Sequence, residues 1–403
     1  MLGVLWGHVA PSSAAPLTLT PSVSVSEQYN DNVYFDDRDI WDFVTLIGYG
    51  LSLDYSQPRF HGSVAAGNSA QVYARQTGED SAAGSQSGTA SVQYQPWERL
   101  ILDATDSLSW VRRTRTGSNS ASGQATPPDQ PPPDLPPPGP DVQASTLLAR
   151  GDAFSNYFAS SLSYIVRPRW TLGLNYGHSV SNFNDPGARD LTNRTGASLG
   201  YAWRPTTAVS TYFSYSRFDF KDQDVPDTES FGGGVGVSEQ FYPTLSLSAS
   251  AGFFTNSPRD SNGSGGVADS SGPTWSVGLT KGFERASLNA GASQSITASG
   301  GVGGTSETRS AFLGYSQQLR ERLSGSLSTS YGHFDASGPN YQFVVVSAGL
   351  STSFWRYFTA GLTYNYGWRD ASQSNQFISQ GSVDGNIVQV YVSTAYPLWR
   401  GDL

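Results

Sequence analysis

Three histidines, His61, His178 and His333, are the groups in the body of this chain best suited to acid–base chemistry. Catalysis would need each of them beside a nucleophile and an orienting acid. Instead, His178 follows Tyr176 by two residues and His333 follows Tyr331 by two, so each continues an alternating aromatic pattern, while His61 lies just past a short corner. All three read as polar aromatics at strand ends. The acids Asp36, Asp37, Asp39 and Asp42 could hold calcium, but they lack the loop spacing and closing glutamate of a recognised site, and read as a solvated loop. Gly232 to Gly236 invites comparison with a phosphate loop, yet it lies inside an alternating run with no helix to follow. With no cysteine, thiolate metal sites, covalent haem attachment and disulfides are excluded. A net charge of −9 argues against nucleic acid as a partner. The sequence is read as non-enzymatic, with no cofactor and no metal site.

The elements around these residues are organised by a recurring corner. Pro96-Trp97-Glu98 is one example; others are Gln57-Pro58-Arg59, Arg167-Pro168-Arg169, Arg204-Pro205-Thr206, Tyr242-Pro243-Thr244, Phe283-Glu284-Arg285, Arg320-Glu321-Arg322 and Trp355-Arg356-Tyr357. Each places two or three Pro or charged residues between runs that alternate apolar with small polar residues, as a tight turn between antiparallel strands does. The corners repeat every roughly 36 to 41 residues, the mark of a repeated unit. The interval from 96 to 168 is longer because it contains a Pro-rich insertion. Two strands per unit give about eighteen strands, an even number of the kind used by outer-membrane barrels.

Composition agrees. Only 14% of the residues are charged and only 37% are hydrophobic, and no apolar run reaches the length of a spanning helix. A membrane barrel keeps its mean hydropathy low because half of each strand faces lipid and half faces water. The predicted fold is all-β: one transmembrane, antiparallel, up-and-down barrel of the bacterial outer membrane, with short periplasmic turns and longer extracellular loops. Residues 1–16 read as the back half of a secretory signal or a disordered leader, and residues 17–403 as the barrel. The Pro-rich stretch 114–146 cannot supply a hydrogen-bonded ladder; it is a docking arm, a plug or an inert insertion.

Strand patterns are clean from Phe154 onward: Trp170, Leu172, Leu174 and Tyr176 alternate with Thr171, Gly173, Asn175 and Gly177, and Phe358 to Trp368 repeats the scheme. Leu100 to Trp110 is less regular, because Asp106 falls in register with Leu102 and Leu108. A bulge that moves Asp106 off the lipid face is expected there. Trp97, Trp170, Trp203, Tyr242 and Trp355 cluster at the corners, and Tyr176, Tyr331, Tyr364, Tyr366 and Trp368 at the opposite strand ends. These form two aromatic girdles for lipid headgroups. A soluble sandwich would alternate too, but has no need of aromatics at both ends of its strands. The other face is Ser, Thr, Gly and Asn with scattered charge; Asp54, Asp103, Asn175, Arg194, Arg309, Arg322 and Asn365 are the expected pore-lining residues. About eighteen strands also enclose an aqueous channel.

The segment from Thr20 to Asp36, with Trp41-Asp42-Phe43-Val44-Thr45 and Gly50 to Tyr55, resembles a family of bacterial outer-membrane barrels that accompany exopolysaccharide biosynthesis and exosortase-type sorting systems. The resemblance covers the first hairpin. It implies a passive conduit for secreted polysaccharide, working with a periplasmic polysaccharide-export protein, and it carries over no catalytic residue. Partners expected on this basis are outer-membrane lipid, the polysaccharide cargo and that export protein. The main rival is a general or nutrient diffusion porin, which would fold an extracellular loop inward as a constriction; the Pro-rich segment is the only long candidate. A structural sleeve and a membrane-lipid hydrolase are further alternatives.

Overall fold

A computed structural model describes residues 16–113, 151–183, 188–221, 227–258, 270–298, 305–336, 340–372 and 380–402; the leader up to residue 15 and the Pro-rich stretch lie outside the described residues, and Pro16 opens the first strand. The strands are β1 (Pro16–Asn30), β2 (Asp42–Gln57), β3 (Phe60–Tyr73), β4 (Ser81–Trp97), β5 (Leu100–Arg113), β6 (Gly151–Arg167), β7 (Trp170–Phe183), β8 (Ala188–Ala202), β9 (Thr207–Lys221) and β10 (Thr228–Tyr242). They continue as β11 (Leu245–Pro258), β12 (Ser270–Gly282), β13 (Ala286–Ala298), β14 (Thr305–Arg320), β15 (Leu323–Ala336), β16 (Tyr341–Trp355), β17 (Phe358–Ala371), β18 (Gly381–Ala395) and the short β19 (Trp399–Asp402). Each pairs antiparallel with its sequence neighbour, and β1 pairs with both β18 and β19, so the sheet closes on itself. The fold is a closed, eighteen-staved barrel whose last stave, β18–β19, is interrupted at Tyr396-Pro397-Leu398. Across that interruption the Tyr396 and Leu398 amides donate to the Pro21 and Leu19 carbonyls. Trp399 to Asp402 therefore continue the closing strand on β1.

Corners form where the sequence places them, and several carry a register shift on the incoming strand, as at Ile165/Arg167, Gln240/Tyr242 and Ser353/Trp355. Such bulges tighten the local twist and end the ladder. One face of the wall carries large exposed apolar side chains, among them Leu51, Leu174, Val235, Leu350 and Val390. Burial in protein does not explain them, and lipid does. On the other face, among the described residues, six serine pairs join hydroxyls across neighbouring strands at 2.6–2.9 Å, for example Ser63 with Ser91 and Ser250 with Ser276. Those pairs satisfy polar groups without bulk and leave the lumen wall thin.

The bulge expected around Asp106 is absent. Register runs unbroken from Ser85↔Val111 to Tyr94↔Leu102, so Asp106 stays on the outer face with Leu102 and Leu108. Two facts make this tolerable. The Asn156 amide donates to its carboxylate at 2.7 Å, and its cross-strand neighbour Phe158 belongs to the aromatic layer with Tyr176. The cost of charge on the outer wall falls towards the interfaces.

Candidate functional site: the lumen and its mouth

Register assigns a face to each expected pore residue. Asp54, opposite Thr18 and Ser63, and Asp103, opposite Gln93 and Ser161, lie on the serine-bearing inner face near the corners. Asp103 accepts from the Gln93 amide at 2.9 Å and the Ser161 hydroxyl at 3.3 Å. Asn175 faces inward and fills the space above Gly196; Arg194 and Asn365 share that face, with Arg194 over the Phe218 ring at 5.9 Å. Arg309 does not. It is cross-strand to His333 and Gln294 on the outer face, one step beyond the Ala311–Tyr331 pair, and bonds Glu307 at 2.9 Å. A cation just outside the aromatic layer sits at headgroup depth, which removes the reason for placing it in the lumen. Arg322 is likewise corrected: it is exposed in the corner before β15, not on the wall.

The aromatic residues named from the sequence fall into two sets on the outer face. Trp97, Trp203, Tyr242 and Trp355 are exposed at the corners, with Trp170 beside Tyr201. Tyr176, Tyr331, Tyr364, Tyr366 and Trp368 share the outer face, spread from the middle of β7, β15 and β17 towards their loop ends. His178 meets the Asn193 side chain at 2.8 Å, and Tyr176 donates to the same oxygen at 3.1 Å, a polar trio on the outer face. His333, on β15, is far round the barrel from β7. The glycine run is structural: a Cβ on Gly234 would strike the Ala251 carbonyl and Gly252 of β11, so only glycine fits that close approach.

The mouth differs from expectation. The acidic loop Asp31 to Trp41, read from sequence as solvated, is folded onto the inner wall. Val33 is fully buried against Val44 and Tyr73, with Tyr34 and Leu46 alongside. Phe35 lies across the barrel seam on the cross-strand pair Gly367 and Gly385, its ring 3.4 and 3.3 Å from where their Cβ atoms would be, and under the Arg369 guanidinium at 5.5 Å. Its φ of +46° is a conformation that a bulky residue adopts only when its surroundings impose it. Asn32 is the hub: its side-chain amide donates to the Asp36 and Asp384 carbonyls at 2.7 and 3.1 Å, and its side-chain oxygen accepts from the Asp36 amide.

Four acids of the loop, Asp31, Asp36, Asp39 and Asp42, accept from protein donors, Asp31 from the backbone and side-chain amides of Asn386 at 2.6 and 2.7 Å. Asp36 is held by Arg38 at 2.7 Å, which raises the arginine above its ordinary pKa mainly through their hydrogen bond. Asp39 accepts from Asn32. Asp42, with no exposed surface, accepts from the backbone amides of Phe43, Arg75 and Gln76 at 2.7, 3.0 and 2.8 Å, tying the first extracellular loop to the second. Tyr34 is pushed above the usual tyrosine range, chiefly by burial and then by Glu79. Replacing Asp42 with Ala leaves three backbone donors unpaired, at about 1–3 kcal/mol each where they stay buried. We expect faster amide exchange at Arg75 and Gln76 with the barrel intact; unchanged exchange would show that water replaces the carboxylate without cost.

Burial follows height. Among the described residues, inner-face positions are buried mainly at the loop ends of the strands: Gln28, Asn30 and Asp42 on β1–β2, Phe218 and Phe220 on β9, Phe254 on β11, Phe334 on β15 and Phe343 on β16. Towards the corners the same face is mostly open, with Thr20, Ser393 and Ala395 buried at the β1–β18 seam. The lumen is thus narrowed from the extracellular side. This chain is a closed eighteen-stranded antiparallel β-barrel with an apolar outer wall and a hydroxyl-rich inner one. No family model and no curated protein matches it. Among solved structures it is similar to Acinetobacter baumannii OccAB4 (12% identity, 96% of this chain and 100% of that one, TM-score 0.46) and Pseudomonas aeruginosa OccK2 (OpdF) (10%, 94% and 98%, 0.47). It is also similar to the glucuronate complex of OccK2 (11%, 95% and 98%, 0.48).

The inward loop had a signal in the sequence. Alternation fails at Phe43-Val44, Leu46-Ile47 and Val72-Tyr73, where both faces become apolar at a loop end. An apolar residue on a wet face marks something packed against it.

Proposed function

We propose that this chain is a passive diffusion pore for small polar solutes, constricted at its extracellular mouth by the loop Asp31 to Trp41. The observation that carries the reading is the inward packing of that loop on Val44, Tyr73, Gly367 and Gly385, at one end of a lumen that is otherwise hydroxyl-lined. A narrow entrance facing outward suits solutes of modest size more than a polymer conduit open along its length. The test is liposome swelling with purified, refolded protein in a series from monosaccharides to high-mass dextran. Entry should fall steeply with solute size. Equal rates for glucose and dextran would favour the polysaccharide conduit with its periplasmic export partner instead.

A further inference from the structure

We propose that the inner wall of β14–β18 is a binding track for neutral saccharides, with Phe312 and Tyr391 as its stacking platforms; the inference rests on the diffusion-pore reading and specifies its substrate class. The track is built from cross-strand pairs in which a ring meets a glycine. Phe343 is opposite Gly332, Phe312 opposite Gly291 and Tyr391 opposite Gly361. In each pair ring carbons occupy the space where the glycine Cβ would be, so the ring leans along the wall instead of projecting into the bore. A ring laid flat has one face on the glycine and offers the other to the lumen.

The rings descend from the mouth. Tyr341, Phe334 and Phe343 form a stack at the top, with centroids 4.5 and 5.8 Å apart. Phe343 lies thirteen residues before Arg356 at the corner, Phe312 eight before Arg320, and Tyr391 is opposite Gly361, five after Arg356. The top stack is buried, whereas Phe312 keeps 37% of its surface and Tyr391 is half-buried. Covering a glycine accounts for one side of each ring, and the part of Phe312 and Tyr391 left exposed faces the lumen.

The chemistry around them narrows the ligand. Among the described residues, the inner faces of β14–β18 carry one charged side chain, Arg369, and it is buried under the constriction loop. Between the rings are Ser330, Ser347 and Asn365, neutral groups that both donate and accept. An ionic solute gains little from such a wall. A pyranose matches it: its C–H face is drawn to the negative face of an aromatic ring, and its rim of hydroxyls exchanges hydrogen bonds with serine, threonine and amide side chains.

The test uses the full chain in a planar bilayer, reading the block of potassium chloride current by maltotriose and maltohexaose, with polyethylene glycol of matched size as the control. Saturable block by the sugars at concentrations where the glycol has no effect is expected. Phe312→Leu and, separately, Tyr391→Leu should each raise the half-blocking concentration by roughly two- to tenfold, the loss of one aromatic contact. Phe312→Tyr should restore it, and the outer-face control Leu313→Val should leave it unchanged. Equal block by sugar and glycol, or unchanged half-block in both leucine variants, overturns the track while the pore reading stands. A folded barrel with no salt conductance overturns the pore reading and the track with it.

Discussion

Val33→Asp is expected to release the first extracellular loop and raise both conductance and the size limit for entering solutes, while the barrel still folds. Val33 has no exposed surface and sits in a small cluster with Val44 and Tyr73. Full burial of a valine contributes about 1.5–3 kcal/mol. An unpaired carboxylate in the same place would cost several kcal/mol, more than the docking of the loop gains there. The loop can leave because the ladders that close the barrel, Ser22 to Asn30 on β18 and Leu17 to Asn30 on β2, do not pass through Val33. Release can be followed directly, since the Arg38 side chain is 59% exposed but backed by Asp36, Asn32 and the wall. Trypsin should cut after Arg38 much faster in the variant. Faster cutting with unaltered conductance would remove the loop from its role as the constriction.

Much of the wall was legible because lipid and water impose a period of two on every strand, and because a corner between antiparallel strands needs Pro or charged residues at predictable places. The corner at Pro168 and the alternation from Trp170 to Tyr176 are read from sequence as they stand in the barrel. What sequence could not show was long-range pairing. The Asp106 carboxylate is tolerated through Asn156, fifty residues away, and nothing local to β5 announces that partner. Arg309 was misplaced for a related reason: its height relative to Tyr331 is set by the stagger of β14 on β15, which periodicity alone does not contain. The mouth was hardest. Phe35 finds its place on Gly367 and Gly385, more than three hundred residues along the chain, and only barrel closure brings them together.

Closure also fixes which side of each strand meets lipid, and neighbouring residues at one height give the sharpest expected contrast. Leu350 on β16 is 46% exposed and cross-strand to Leu362, whose other neighbour is Val390; Ser351 beside it pairs with Ser324 and Gly361 on the inner face. Leu350→Arg puts a guanidinium onto the outer wall between the two aromatic sets, where the expected loss is about 2–4 kcal/mol. Ser351→Arg puts the same group into a water-filled lumen, and its expected cost is below ~1 kcal/mol because the charge stays solvated. Urea titration of the barrel refolded in lipid vesicles should therefore separate the two variants clearly, although they add the same side chain one residue apart. Ser351→Arg should in addition shift ion selectivity towards anions, a readout that Leu350→Arg has no means of moving. Similar losses in both variants would mean that the interior is packed and not wet at this height, and a pore could not run through it.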